Sequence, residues 1–362
     1  MVFAIAGSRK DYAWGVVDGL ASWTGIADGA TQAELWFGVH PSGPAVLADG
    51  SGLLSDHLAD DQAPLLVKLL AAARPLSVQV HPDASLAART WREQQEPGAT
   101  QVYADPWEKT EMLVALTDFT AFAGWRDADE AVQILERVPG TQAAVAALSR
   151  GDRASAIRLL LQVQPIGPAV QALQSAFLNR PANERTAIGA AISEYPQDAG
   201  ALLLPMLAVE QLAPGDALYV PAGVPHSYVS GTGLEVMTTS DNVVRLGLTP
   251  KAVNVDAALA ALREDRQPVV LRGAEHLHPP GAPFSVELLH DGERVIPSGA
   301  YRLILAIQDD LDVQVGQERR TDGDADGGVT VSMGTALVAT ALESDLVART
   351  AGVAAVVRHE AL

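Results

Sequence analysis

The sequence predicts a mainly β protein with an α-helical insertion, and three observations carry that reading. Short apolar runs bounded by Gly, Pro and Asp turns, with side chains alternating every second residue, occupy much of residues 33–125 and 207–251. Between residues 127 and 206 the apolar period lengthens to 3.6. Strand-like runs then return over residues 284–360 (YRLILAIQ, DLDVQVG, GVTVSM, TALVAT, VAAVVRH) and suggest a jelly-roll barrel. The expected division is residues 1–126 and 207–265 as two parts of one β domain, 127–206 as a helical domain set into it, and 266–362 as a C-terminal jelly roll. With 362 residues, 48% of them hydrophobic, the chain can bury several cores.

Composition removes several classes of function. Lys and Arg number 25 against 44 Asp and Glu, a net charge of -19, which argues against nucleic-acid or anionic-membrane partners. The absence of cysteine excludes disulfides, thiolate metal ligands and a cysteine nucleophile. The apolar start at residues 1–6 is too short for a signal peptide, and no window reaches the ~18 uncharged apolar residues of a membrane helix, so the cytoplasm is the expected location.

Taken in order, residues 33–45 (AELWFGVHPSGPA) run as a strand into a turn, where His40 is expected to be a hydrogen-bonded turn residue rather than a ligand. Residues 60–73 (DDQAPLLVKLLAAA) have an acidic start and an early proline, the pattern of a short helix or a buried segment. Lys68 is the one Lys or Arg in that stretch. Residues 76–83 (LSVQVHPD) alternate strictly: Ser77, Gln79 and His81 share one strand face and Val78 and Val80 the other. Gln79 and His81 can therefore converge on one point, the alternative being a polar face turned to water. Residues 103–125 begin with an Asp105-Pro106 turn and then place Lys109, Glu111 and Leu113 on one face. That arrangement supplies a cation and an anionic oxygen to a site, or else a surface ion pair.

From Asp127, read as a helix cap, Ala131, Ile134, Leu135 and Val138 fall at helical spacing. Further helical runs follow at residues 143–149, 152–161, 169–177, 183–194 and 199–207. This insertion holds no histidine and is expected to be structural or a wall of a cleft. Residues 215–251 carry the densest signal: Gly215, Pro221, Gly223 and His226 form a G-x5-P-x-G-x2-H pattern, and residues 219–228 read as a hairpin with His226 at its mouth. Residues 256–263 read as a short helix and 267–280 as a linker. His276 and His278 have ligand spacing but lie in that connector without a third ligand, and are taken as non-metal. A flexible tip is expected at residues 322–328.

The candidates Gln79, His81, Glu111 and His226 offer two imidazoles and two oxygens. That set suits Zn²⁺ and would also accept Mn²⁺, Fe²⁺ or Co²⁺. The G-x5-P-x-G-x2-H pattern is similar to the second motif of the cupin barrels, with Ser230 where Asn is usual. The chain as a whole resembles the type I phosphomannose isomerase family, most densely in AELWFGVHP (33–41), LSVQVHPD (76–83), YADPWEKTEM (103–112) and PHSYVSGTGLEVMTTSDNVVRLGLTPK (225–251). The resemblance implies two cupin-type jelly-roll barrels plus a helical domain, one Zn²⁺ per chain held by Gln79, His81, Glu111 and His226, and an active-site arginine at Arg245. It also implies active-site roles for Lys68, Lys109 and Glu235. The activity implied is interconversion of mannose 6-phosphate and fructose 6-phosphate through an enediol, feeding mannose and GDP-mannose metabolism.

For that chemistry Arg245 would bind the phosphate, with Lys68 or Lys109 as point charges and the Ser77 hydroxyl as donor. Glu235 is the first choice of proton carrier, with Lys109, His81 or metal-bound water as rivals. The expected partner is a small sugar phosphate and the expected state a monomer. One departure stands out: residues 107–111 read Trp-Glu-Lys-Thr-Glu where the family reads Asn-His-Lys-Pro-Glu. A non-catalytic sugar-binding bicupin is the alternative that this departure supports. A cupin oxidase is opposed by Gln79, since such sites use three or four histidines.

Overall fold

The computed structural model describes residues 1–316 and 328–360. The tip expected at residues 322–328 therefore lies, apart from Gly328, outside the described residues. Two antiparallel β systems pack face to face, and helices flank the first of them. In the first, the strand His226–Thr238 is the element on which the others register. Its start pairs with Phe119–Trp125 (Ala123 opposite His226) and with Gln79, and from Gly231 onward it pairs with Leu65–Ala72 and Glu111–Ala115. One strand thus turns a barrel corner and belongs to both layers. Gly231 makes the corner possible: φ is +125°, and a Cβ there would lie 2.7 Å from the Asp118 carbonyl oxygen.

The hairpin expected over residues 219–228 is not formed. Ala217–Val220 pairs with Glu111–Ala115 and Val269–Leu271, not with His226–Thr238. The intervening Pro-Ala-Gly-Val-Pro segment, with Gly223 at φ +90°, crosses between layers, so the flanking strands never lie side by side. Val269–Leu271 and His276–Leu277 are likewise short strands within the stretch read as a linker.

Within residues 60–73 the continuously buried part, as expected of this stretch, is Leu65–Ala72, and it forms a strand rather than a helix. All eight of its residues are buried because both faces are covered. Leu65, Val67, Leu69 and Ala71 share a core with Phe284, Leu303 and Val357 of the C-terminal barrel. Leu70 and Ala72 pack inside the first barrel with Leu113, Phe119 and Tyr228. A strand apolar on both faces shows no alternation, and its sequence cannot be told from a buried helical turn.

The insertion sits between Phe119–Trp125 and Leu207–Leu212, which pair antiparallel across it (Trp125 opposite Leu207), so the sheet continues as if the helices were a long hairpin loop. Helices run at Ala128–Leu135, Gln142–Leu148, Arg153–Leu160, Ile166–Ala176 and Ala182–Glu194. Asp127 caps the first as expected, accepting from the backbone N–H groups of Asp129 and Glu130. Residues Ala199–Met206 are wound as 3-10 turns and are buried, apart from their first residue. Leu135, Leu160, Leu173 and Leu204 form one core with Val78 and Val80, the apolar side of the Gln79 strand. That strand is clamped from behind by the helical domain.

In the C-terminal system Phe284–Ile296 pairs along its length with Leu346–His359, which also turns a corner, pairing with Arg302–Gln308 and then Leu311–Val315. The N-terminal strand Val2–Ala6 extends this sheet by pairing with Thr335–Ala339, and Val46–Leu47 adds to its far side.

Candidate active site

His81 follows the strand Val78–Val80, Glu111 opens Glu111–Ala115 and His226 opens His226–Thr238, so three strand ends meet. Their ligand atoms lie within 4.8 Å of one another, and all three residues are buried. His226 Nε2 is 2.8 Å from Glu111 Oε1, and His81 Nε2 is 3.4 Å from Glu111 Oε2. Main-chain carbonyls fix both rings: His81 Nδ1–H donates to Asn242 O at 2.7 Å, and His226 Nδ1–H to Val224 O at 3.0 Å. Each Nε2 is thereby left as an acceptor aimed at the carboxylate, the tautomer a metal ligand needs. The Gln79 side-chain amide is 3.1 Å from His226 Nε2 through its nitrogen, and a half-turn about the terminal bond puts its oxygen there instead.

His81 Nε2 and Glu111 Oε2 are buried without a hydrogen-bond partner. Lys109 Nζ lies 3.1 Å from that oxygen as an ion pair, off the direction of a hydrogen bond. Buried polar atoms left unpaired are costly, and two of them aimed into one cluster are what a cation would satisfy. Protonation fits as well. Burial, with the Lys109 charge, pushes His81 down to about 3, so its ring is neutral. Burial opposes ionisation of Glu111, but the Lys109 ammonium outweighs it and the carboxyl is held well below its ordinary value. A neutral His81 beside an ionised Glu111 is the state in which such a set binds a divalent ion. Gln79, His81, Glu111 and His226 therefore fit the metal expected of them.

A second buried group lies on the same sheet face. The register places Trp36 opposite Lys68 and Lys68 opposite Glu235. Lys68 Nζ donates to Glu235 Oε2 at 2.8 Å, stands 3.8 Å from Glu34 Oε1 and sits 5.0 Å above the Trp36 ring. Burial disfavours the ammonium, yet Glu235 and Glu34 more than offset it and raise Lys68 above its ordinary value. Tyr228 O–H donates to Glu111 Oε1 at 3.2 Å, and burial followed by that carboxylate keeps the phenol protonated well above its usual range.

Glu34, Trp36, Lys68 and Glu235 line a cleft of about 820 Å³, which the metal cluster borders through Gln79, Lys109 and Tyr228 and whose walls also carry Ser77, Arg245 and Lys251. Arg245 lies opposite Gln79, which lies opposite His226, so the three project from one face of adjacent strands. Arg245 makes no hydrogen bond or ion pair among the described residues. Burial draws it below its ordinary value with Asp241 opposing, and it stays a guanidinium. The insertion supplies a rim through Glu194, Tyr195, Pro196, Gln197 and Asp198, the cleft wall expected of it.

Sequence reasoning missed several of these residues. Glu34 and Trp36 lie inside the strand that leads into the His40 turn, and Tyr12 and Trp14, stacked with centroids 5.7 Å apart, line the cleft mouth. The Asn242 side chain bonds Asp105 O, Asp105 Oδ1 and Trp107 O, while Ser240 Oγ donates to Asp105, tying the turn before Lys109 to the segment that orients His81. The signal available was the pairing of D-P with S-D-N, two short polar motifs in otherwise apolar surroundings. The departure at residues 107–111 also has a structural outcome: Trp107 is 61% exposed, and Glu108 accepts from the backbone N–H of Ala84 at 3.1 Å, at the start of the helix Ala84–Glu93. Neither side chain lines the cleft. His40 accepts from Ser42 N–H, as expected of a turn residue.

A two-histidine, one-carboxylate centre at the strand ends of one of two paired barrels, beside a cation-lined cleft, defines a metal-site cupin. Residues 2–128 match the family model of the phosphomannose isomerase type I catalytic domain. A mannose-6-phosphate isomerase of Shigella flexneri is 30% identical over 352 residues, 86% of this chain and 90% of that protein. The Homo sapiens mannose-6-phosphate isomerase is 30% identical over 313 residues, 70% and 71% of the two chains. Among solved structures, mannose 6-phosphate isomerase from Salmonella typhimurium bound to its substrate fructose 6-phosphate and zinc superposes with a TM-score of 0.84 at 26% identity, covering 99% of this chain and 100% of that one. A zinc-bound holo mannose 6-phosphate isomerase gives 0.83 at 26% identity. The chain belongs to the type I phosphomannose isomerase family.

Proposed function

We propose that the protein is a Zn²⁺-dependent aldose-ketose isomerase that interconverts mannose 6-phosphate and fructose 6-phosphate through an enediol and so feeds mannose metabolism. The observation that carries the proposal is the His81–Glu111–His226 cluster, with His81 Nε2 and Glu111 Oε2 unpaired, directly behind a cleft wall on which Gln79 and the uncommitted Arg245 lie side by side. Gln79, His81, Glu111 and His226 hold the metal. When bound, a divalent ion there supplies a Lewis acid for the charge that develops on the sugar O1 and O2.

The chain's own residues do the rest. Arg245 takes the phosphate through paired N–H donors, with Ser77 and Lys251 on the same wall. This anchoring matters in a protein of charge -19, where a dianionic substrate is otherwise repelled. Glu235 removes the proton from C2 of the aldose and returns it to C1, the hydroxyl proton of O2 passes to O1 across the enediol, and the Lys68 ammonium at 2.8 Å compensates the buried charge of Glu235. Lys109 keeps Glu111 ionised. Walls packed on both sides leave these groups little freedom to rearrange, which favours preorganisation over induced fit.

The test is a coupled assay on purified protein supplied with mannose 6-phosphate, before and after chelation and metal restoration. Turnover that disappears with chelator and returns with Zn²⁺ is the expected result; no turnover with metal present sinks the proposal. In the same assay Arg245→Ala should lower kcat/KM about 100-fold, the scale of a lost charge-assisted contact of about 3 kcal/mol. Residual action on unphosphorylated mannose should be unchanged. An equal loss on both sugars would take Arg245 off the phosphate.

A further inference from the structure

We infer that Glu34 is a positioning residue for the Lys68–Glu235 pair: it shares the Lys68 ammonium and so sets how much of that charge reaches Glu235. The inference rests on the proposed isomerase reading, and deepens it by adding a residue to the proton-transfer apparatus. Three neighbouring strands build the group. Glu34 and Trp36 are two apart on Glu34–Phe37 and share a face; Trp36 is opposite Lys68, and Lys68 is opposite Glu235.

Charge does not balance within this group. Two carboxylates, from Glu34 and Glu235, stand at 3.8 and 2.8 Å from one ammonium, and the three side chains are 5–8% exposed. One negative charge is in excess, and water is largely excluded from compensating it. The Trp36 indole N–H supplies part of the compensation by donating to Glu34 Oε2 at 2.8 Å. Its ring also faces Lys68 Nζ, so one side chain steadies both members of the outer pair. Burial, with the Glu235 charge adding to it, raises Glu34 above its ordinary value against the opposing pull of Lys68 and Trp36. That is the behaviour of a second carboxylate competing for a single cation.

The remaining charged groups around the pair come from every element packed on it. Glu111 acts from the neighbouring strand and Lys109 from the residues just before it, Tyr228 from the same strand as Glu235, and Tyr12 and Asp241 from the loops at the cleft mouth. His40 stands edge-on to Trp36 at 5.2 Å from the turn after its strand, and Lys10 lies at 4.9 Å over the Trp36 ring. None of these is within ion-pair distance of Lys68 Nζ, where Glu34 and Glu235 are the carboxylates found among the described residues. Removing the Glu34 charge therefore acts on Glu235 through Lys68. The freed ammonium pairs with Glu235 alone, stabilises its carboxylate further and makes it a poorer proton acceptor.

The experiment compares wild type, Glu34→Gln and Glu34→Asp with Zn²⁺ in excess, measuring kcat and KM for mannose 6-phosphate against pH and the melting temperature of each protein. Glu34→Gln is expected to lower kcat about tenfold with KM within about twofold, and to move the acidic limb of the kcat profile about one unit to lower pH. Glu34→Asp, which keeps the charge, returns the limb to its wild-type place. Should Glu34→Gln fail to fold, Trp36→Phe takes its place: loss of the indole donor favours protonated Glu34 and moves the limb the same way by a smaller step. A wild-type limb in a folded Glu34→Gln overturns the inference, as does a loss of kcat with the limb unmoved and no rescue by Asp, which would be a structural effect alone. An unmoved limb in Trp36→Phe overturns it equally. Wild type without turnover overturns the functional reading and this inference with it, whereas wild-type turnover with an indifferent Glu34→Gln overturns the inference alone.

Discussion

Glu111→Gln should leave the purified protein unable to retain Zn²⁺, with kcat/KM reduced by about 10³-fold or more. Glu111 is the one anionic member of the proposed ligand set, and its two oxygens face different groups. Oε1 faces His226 Nε2 and the Tyr228 hydroxyl, and Oε2 faces His81 Nε2 and Lys109. A glutamine keeps the shape and removes the charge. The lost electrostatic stabilisation is several kcal/mol, and each 1.36 kcal/mol is tenfold in rate. A second effect separates this variant from a simple loss of metal. Lys109 is 5% exposed, and without the carboxylate its ammonium is buried unpaired, which costs about 3–5 kcal/mol. The metal-free variant should therefore melt below the metal-free wild type. Metal content by elemental analysis and paired melting curves check both parts; wild-type metal content in Glu111→Gln would remove it from the ligand set.

Glu235→Gln should lower kcat by about 10²–10⁴-fold, the range for losing a general acid-base, while KM changes little. Its binding contribution is small because the carboxylate is committed to Lys68 at 2.8 Å rather than held free for substrate. Equal kinetics for this variant and wild type would transfer the proton to one of the rivals, Lys109, His81 or metal-bound water. Of these, His81 is hindered because its Nδ1–H is engaged by Asn242 O, its Nε2 is given to the proposed metal and burial makes the ring a weak base, and Lys109 by its ion pair with Glu111.

What could be read in the sequence followed the strength of local periodicity. Gln79 and His81 were legible because one face of their strand is polar and the other, Val78 and Val80, packs under the helices, so the alternation survives in the sequence. Lys68 was visible only as an isolated cation in an apolar run, and its strand passed for a helix because both faces are buried. Its partner Glu235 is 167 residues away, and Glu34 is reached through register across three strands. No local pattern records such a pairing. The 219–228 hairpin failed for a related reason: turn chemistry at Pro221 and Gly223 marks a change of direction but not which layer the chain enters next. The Asp127 cap and the helical period after it depend on neighbours within one or two turns, and they appear in the structure as read.

The most direct measurement is proton exchange at C2 of mannose 6-phosphate, followed by NMR in D₂O with Zn²⁺-loaded protein. An enediol route that uses Glu235 predicts deuterium entering C2 of the recovered aldose and C1 of the ketose in wild type, and loss of that exchange in Glu235→Gln. Sugar phosphate that binds to the Zn²⁺-loaded wild type yet keeps its C2 proton and yields no ketose would contradict the account, leaving a metal-site cupin that holds the sugar without isomerising it.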